Sequence, residues 1–338
     1  MKLSETTVKK SENLHLMRFL ASVMVIFAHS FSVSTGGAVE DPLNRFTDDI
    51  LSIGGVCVAL FFLCSGYLIS RSVMRADKFV PYISARLKRL FPPLAFVVFS
   101  TVVLGAFITS LSIKEYLLSP DTYKYFLNAV LLPTHNLPGV FTNNIYGTVA
   151  NGSLWTLPVE FACYVACFIF FKLKLLEKRR FWYTVPLAVA VLLFNDYLPL
   201  LLCDMARPCL FFYIGMLFYV YREHIKLNIR LVPIALIALA LCITVARPFT
   251  NIFLILFLPY ILFTLWFAIP QCPVWLGKTG DISYGIYLWG FLVQQTLVFF
   301  WGGSMPQFLN FVLASVVSIC LGTVTFLITE KPLMKKRV

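Results

Sequence analysis

The chain has 338 residues, of which 59% are hydrophobic and only 13% charged, where a soluble globular domain carries about 25% charged residues. Apolar runs of nearly bilayer length recur along it, which excludes a soluble enzyme and predicts an all-α, polytopic integral membrane helical bundle. The net charge of +12 does not point to nucleic acid, because the basic residues fall in short inter-helix loops rather than in one basic domain.

Ten spans are predicted, at 14–34, 52–70, 90–110, 154–171, 182–200, 205–221, 231–246, 250–269, 282–300 and 307–328. The opening MKLSETTVKKSEN looks like a signal-peptide n-region. The apolar segment after it is too long, and no small-residue cleavage site follows cleanly, so it reads as a retained first span. With both termini cytoplasmic, the inner segments hold 23 Lys and Arg and the outer segments 5. That split follows the positive-inside rule and favours an even number of spans. The expected organisation is one membrane domain over 1–338, with cytoplasmic tails at 1–13 and 329–338. The fifth span is the weakest, because Pro186, Pro199 and FNDY interrupt it, and the seventh is short. The nine cysteines form no CxxC pair and read as small buried hydrophobes, with no metal site.

In chain order, the first unusual groups are Arg18 and His29. Eleven residues turn a helix about 20° past three full turns and advance it about 16 Å. The two side chains therefore share a face, which should look into the bundle or a wet cavity. Taken singly, Arg18 could snorkel to the interface and His29 could make an interhelical hydrogen bond. The basic loop RSVMRADKFVPYISARLKRLFPP places Arg86 and Arg89 three apart beside Lys88. It is either a solvated inner loop or an Arg fork for a phosphate-rich ligand. Residues 111–153 are polar and aromatic, and long enough for a functional lid or a segment folded back into the membrane.

Span four, NGSLWTLPVEFACY, buries Glu160 at a depth comparable with His29. A His–Glu pair could form a general base, the carboxylate fixing the imidazole. The plainer reading is a structural carboxylate bonded to Trp155, Tyr164 or the backbone at Pro158. Arg207 lies near the outer end of span six, where it could bind an acceptor or counter Asp204. Tyr284 and Tyr287, three apart on span nine, could line an acceptor path or sit in an interfacial belt.

Together these residues resemble the acyltransferase-3 family of integral-membrane acyltransferases. The first span matches its Arg, ten residues, then His. ALFFLCSGYLIS (59–70) looks like its second-span signature, and YISARLKRLFPP (82–93) like its basic stretch before span three. GSLWTLPVEFACY (152–164) looks like its Trp and Glu signature. GDISYGIYLWGFLVQQ (280–295) is similar to its Ser-Tyr-x-x-Tyr-Leu helix, and TEKP (329–332) to its closing Glu-x-Pro. The matches run in order over nearly the whole chain. Family members often carry His after the late Tyr-Leu-Trp, where Gly290 stands here. The extracytoplasmic esterase-like domain of some relatives does not follow, so chemistry is expected to finish within the membrane domain or with a partner.

The resemblance implies transfer of an acyl group, with acetyl the expected one, from acyl-CoA to a hydroxyl of a cell-surface or lipid-linked carbohydrate. Acetyl-CoA would enter from the cytoplasm, its phosphates near Arg86, Lys88, Arg89 and Arg18, its pantetheine arm extending toward His29. His29 would be the general base and Glu160 would orient it. Trp155, Arg207, Tyr284 and Tyr287 would serve substrate binding. The expected location is the inner (plasma) membrane of a bacterium. The rival class is a proton-coupled transporter using Arg18, His29 and Glu160, although no repeat relates the two halves of the chain. A membrane scaffold would need no His29–Glu160 pair.

Overall fold

The computed structural model describes residues 2–5, 12–76, 78–194, 200–246, 249–268 and 280–335. Among them all regular structure is helical, and the only β pairings are two isolated bridges, Lys2 with Lys226 and Asn136 with Val149. Ten helices follow the predicted apolar segments: α1 Glu12–Thr35, α2 Ile53–Ala76, α3 Phe79–Ile108, α4 Thr156–Lys172, α5 Val185–Leu193, α6 Leu200–Val220, α7 Leu231–Val245, α8 Thr250–Phe267, α9 Ser283–Phe300 and α10 Gln307–Thr325. Among the described residues, five stretches are long and apolar enough to cross a membrane: Asn13–Thr35, Ile53–Ala76, Phe79–Ile108, Gly152–Lys172 and Gln307–Leu333. The predicted fifth span holds only the nine-residue α5. Residues 195–199, Arg247, Cys272 and Lys278 lie outside the described residues.

Two large apolar cores, with smaller clusters beside them, dominate the bundle among the described residues. One joins α2, α4, α6 and α8; the other joins α3, α9, α10 and the 111–153 segment. Leu14 of α1 belongs to the first and Ile26 of α1 to the second, so this helix stitches the halves together.

Small residues set the tightest crossings. A Cβ on Gly66 would lie 2.0 Å from the Phe212 carbonyl oxygen, and one on Gly215 would lie 2.2 Å from that of Leu63. Helices α2 and α6 therefore pack backbone against backbone, as small residues permit in a bilayer.

Helix α3 begins eleven residues before its predicted span, because the basic stretch 82–89 is already helical. Pro92 and Pro93 sit inside it, where each removes one backbone donor. The Tyr284 hydroxyl donates to the nearby Leu90 carbonyl at 3.0 Å, tying α9 to this part of α3. At the chain's other end the helix widens to a π turn, Phe326–Glu330, before a short helix Lys331–Lys335. Such turns carry one extra residue and often mark functional positions. Here the turn brings Glu330 to the bundle interior, so the expected free tail from 329 starts as helix.

The 111–153 segment is a compact cap on the ends of α3 and α9. Ser112 and Glu115 form a capping box, and the Tyr116 hydroxyl donates to the Val102 carbonyl at 2.9 Å. Gly139 has φ +68°, and a Cβ there would meet Thr109 Oγ1 at 2.5 Å, so only glycine fits.

Candidate active site

Between the two cores lies a cavity of about 540 Å³, within the size range of small-ligand sites. The end of the bundle where α1 and α9 begin contributes Arg18, Arg86, Lys88, Arg89, Asp281 and Glu330 to its lining. Further in stand Ser65, Glu160, Tyr164 and Tyr284, and the inner end is closed by Phe61, Thr156 and Tyr287. Four cations on one cavity, one from α1 and three from the first turns of α3, are a suitable cradle for phosphate oxygens.

Asp281 organises the basic end. Its Oδ2 accepts from Arg18 Nη1 at 2.7 Å and from Arg89 Nη2 at 3.0 Å, and its Oδ1 accepts from Ser283 Oγ at 2.5 Å. Burial opposes its ionisation, but the two guanidiniums outweigh burial and hold the carboxyl well below the usual carboxylate range. The Arg18 guanidinium also lies over the Phe61 ring at 5.7 Å, and that of Arg86 over Tyr82 at 5.0 Å. Glu330 Oε1 is buried without a hydrogen-bond partner among the described residues.

Glu160 lines this cavity, and its Oε1 accepts from Ser65 Oγ at 3.2 Å and from the Tyr164 hydroxyl. Tyr164 stands one helical turn further along α4, toward the basic end. That partner is the one foreseen by the plainer reading of Glu160. The expected contact with His29 is not formed. The carboxylate turns along its own helix, whereas the His29 ring packs edge-on against Phe291 at 5.4 Å. Phe291 lies four residues beyond Tyr287 on α9, about 6 Å along the helix, and His29, packed on it, does not line the cavity. Neither ring nitrogen of His29 is hydrogen-bonded among the described residues, and the side chain is partly exposed.

Arg18, Arg86, Lys88, Arg89, Glu160, Tyr284 and Tyr287 are thus brought to one cavity. The Tyr287 hydroxyl donates to the Ser153 carbonyl at 3.0 Å and meets Thr156 Oγ1 at 2.8 Å. Both tyrosines line the basic cavity. Trp155 packs beside the first core, and Arg207 Nη1 donates to the Ile50 carbonyl at 3.3 Å; neither lines the cavity.

Comparison with known proteins decides the family. The profile described as an acyltransferase domain matches residues 11–327. The chain belongs to the acyltransferase-3 family. An O-acetyl transferase of Shigella phage Sf6 is 27% identical over 303 residues, covering 86% of each chain. Nodulation protein 10 of Rhizobium leguminosarum bv. viciae is 26% identical over 360 positions, covering 96% of this chain and 94% of that protein. No solved structure matches. The protein is accordingly a membrane acyltransferase of the O-acetyl transferase kind, and the transporter reading is set aside.

Asp281 and Glu330 escaped the residue-by-residue reading, although both stand in stretches that carry the family resemblance. Asp281 stands three residues before Tyr284. Its signal was charge: an acid between a run of apolar spans and a basic bundle end needs a cationic partner.

Proposed function

We propose that this acyltransferase moves an acetyl group from acetyl-CoA to a hydroxyl of a cell-surface or lipid-linked carbohydrate, with His29 as general base. The observation that carries the proposal is the basic cavity lined by Tyr287, about one helical turn from the Phe291 ring on which His29 packs. The basic end faces the cytoplasm, in keeping with the positive-inside rule, and the protein resides in a bacterial inner membrane. Phosphates of the donor bind Arg18, Arg86, Lys88 and Arg89, with Arg–phosphate forks supplying much of the affinity. The pantetheine arm runs past Glu160 and Tyr284 toward Tyr287, which must yield to let the thioester reach His29.

The acceptor hydroxyl then gives its proton to a ring nitrogen of His29. Its oxygen attacks the thioester carbon, the C–S bond breaks, and the coenzyme A thiolate leaves and takes up a proton. Glu160 acts from the cavity wall, holding Tyr164 and Ser65 beside the donor rather than orienting the imidazole. The half-buried setting of Glu160 with two hydroxyl donors supports that role.

The test uses purified protein, radiolabelled acetyl-CoA and surface carbohydrate extracted from cells lacking this protein. Wild type should label the carbohydrate. Failure to label it, by folded protein that binds acetyl-CoA, would overturn the acceptor assignment.

A further inference from the structure

Nothing so far says what holds the acceptor beside His29. Tyr146, in the 111–153 cap, meets the same ring that His29 meets: its centroid is 5.5 Å from that of Phe291 at an interplanar angle of 71°. His29 and Tyr146 thus both pack against the Phe291 ring.

The cap is pinned on both sides of Tyr146. Gln295, fully buried on α9, donates Nε2 to the carbonyls of Gly147 at 3.1 Å and Val149 at 2.9 Å. Asn144 Nδ2 donates back to the Gln295 carbonyl and to its Oε1, each at 2.9 Å. The Ile145 N–H donates to the Gly303 carbonyl at 2.8 Å. Buried amides are costly unless bonded, and these bonds, which leave only the Asn144 Oδ1 of the two amides without a partner among the described residues, fix one local geometry. Here the fixed geometry presents a tyrosine that remains partly exposed, and whose hydroxyl makes no hydrogen bond among the described residues.

We infer that Tyr146 is an acceptor-binding residue: one C–H face of a sugar ring lies on its aromatic face, with the reactive hydroxyl directed at His29. A tyrosine offers an apolar body and a polar tip, which match the C–H face and hydroxyl rim of a pyranose. Gln295 is then a positioning residue acting through the cap. The inference rests on the acetyl-transfer reading above and names the acceptor side of the same site.

The experiment measures label transfer from acetyl-CoA as a function of the concentration of the extracted carbohydrate, alongside acetyl-CoA affinity by calorimetry. Tyr146→Phe keeps the ring, and Tyr146→Leu keeps much of the volume without it. The expected result is a half-saturating carbohydrate concentration raised at least about 10-fold in Tyr146→Leu, which corresponds to about 1.4 kcal/mol, and less than about 3-fold in Tyr146→Phe. Acetyl-CoA affinity should be unchanged in both. Gln295→Leu should resemble Tyr146→Leu, because it removes the Nε2 donor to the Gly147 and Val149 carbonyls. Wild-type half-saturation in Tyr146→Leu would overturn the inference, as would equal loss of donor affinity. Absence of labelling by wild type would instead overturn the acetyl-transfer reading, and this inference with it.

Discussion

At the scale of single residues, the account separates donor binding from chemistry. His29 lies outside the cavity that holds the basic groups, so His29→Ala should lower transfer about 10²–10⁴-fold, the usual worth of a general base, while acetyl-CoA still binds with wild-type affinity. A transfer assay and calorimetry on the same preparation check both halves. Asp281 should behave differently. It joins two guanidiniums in a largely buried setting, with side-chain exposures of 15% for Arg18 and 14% for itself. Asp281→Asn should cost roughly 1–3 kcal/mol of stability near neutral pH, a range for losing charge-assisted hydrogen bonds. The sign with pH follows from its depressed folded pKa. The contribution is full above the ordinary carboxylate range and is lost as pH falls below it. Thermal unfolding in detergent should therefore show the wild-type advantage at pH 6 shrinking in strong acid. The sequence exposed Arg18, His29 and Glu160 as costly intramembrane groups, since composition alone makes them conspicuous. It could not say which way the Glu160 carboxylate turns. Comparable depth allowed a His29 contact, and Tyr164 at the next turn of the same helix took it instead.

At the scale of helices, close crossings explain which small residues cannot grow. Gly66→Leu would drive a side chain into the α6 backbone. Overpacking of this kind costs about 1–3 kcal/mol or more, and the variant should accumulate poorly in membranes or unfold at lower temperature. Gly290 gives a subtler case. A Cβ there would lie 2.8 Å from Ile26 Cγ1, so Ile26 of α1 fills the space that a larger residue would need. Gly290→His alone should destabilise the protein, and Ile26→Ala in the same chain should restore much of the loss; a thermal-shift comparison of the two decides. Helix positions were legible because apolar runs carry them. The early start of α3 was hidden by its charges, which read as a loop. The π turn at Phe326–Glu330 left no periodicity to recognise, so Glu330 passed for part of a tail.

At the scale of the whole molecule, two apolar cores stitched by α1 leave a basic cavity open at one end and closed by Tyr287 near the middle. In the proposed reaction, donor and acceptor would approach from opposite sides of Tyr287. Sealed vesicles of known orientation should transfer label only when acetyl-CoA has access to the face bearing Arg86 and Arg89. The most direct measurement of the central claim is calorimetric titration of purified protein with acetyl-CoA, beside Arg86→Ala and Arg89→Ala. The account predicts saturable binding by wild type, weakened at least about 10-fold in each variant, the equivalent of one charge-assisted contact. Undiminished affinity in both variants, or no binding by folded wild type, would contradict it.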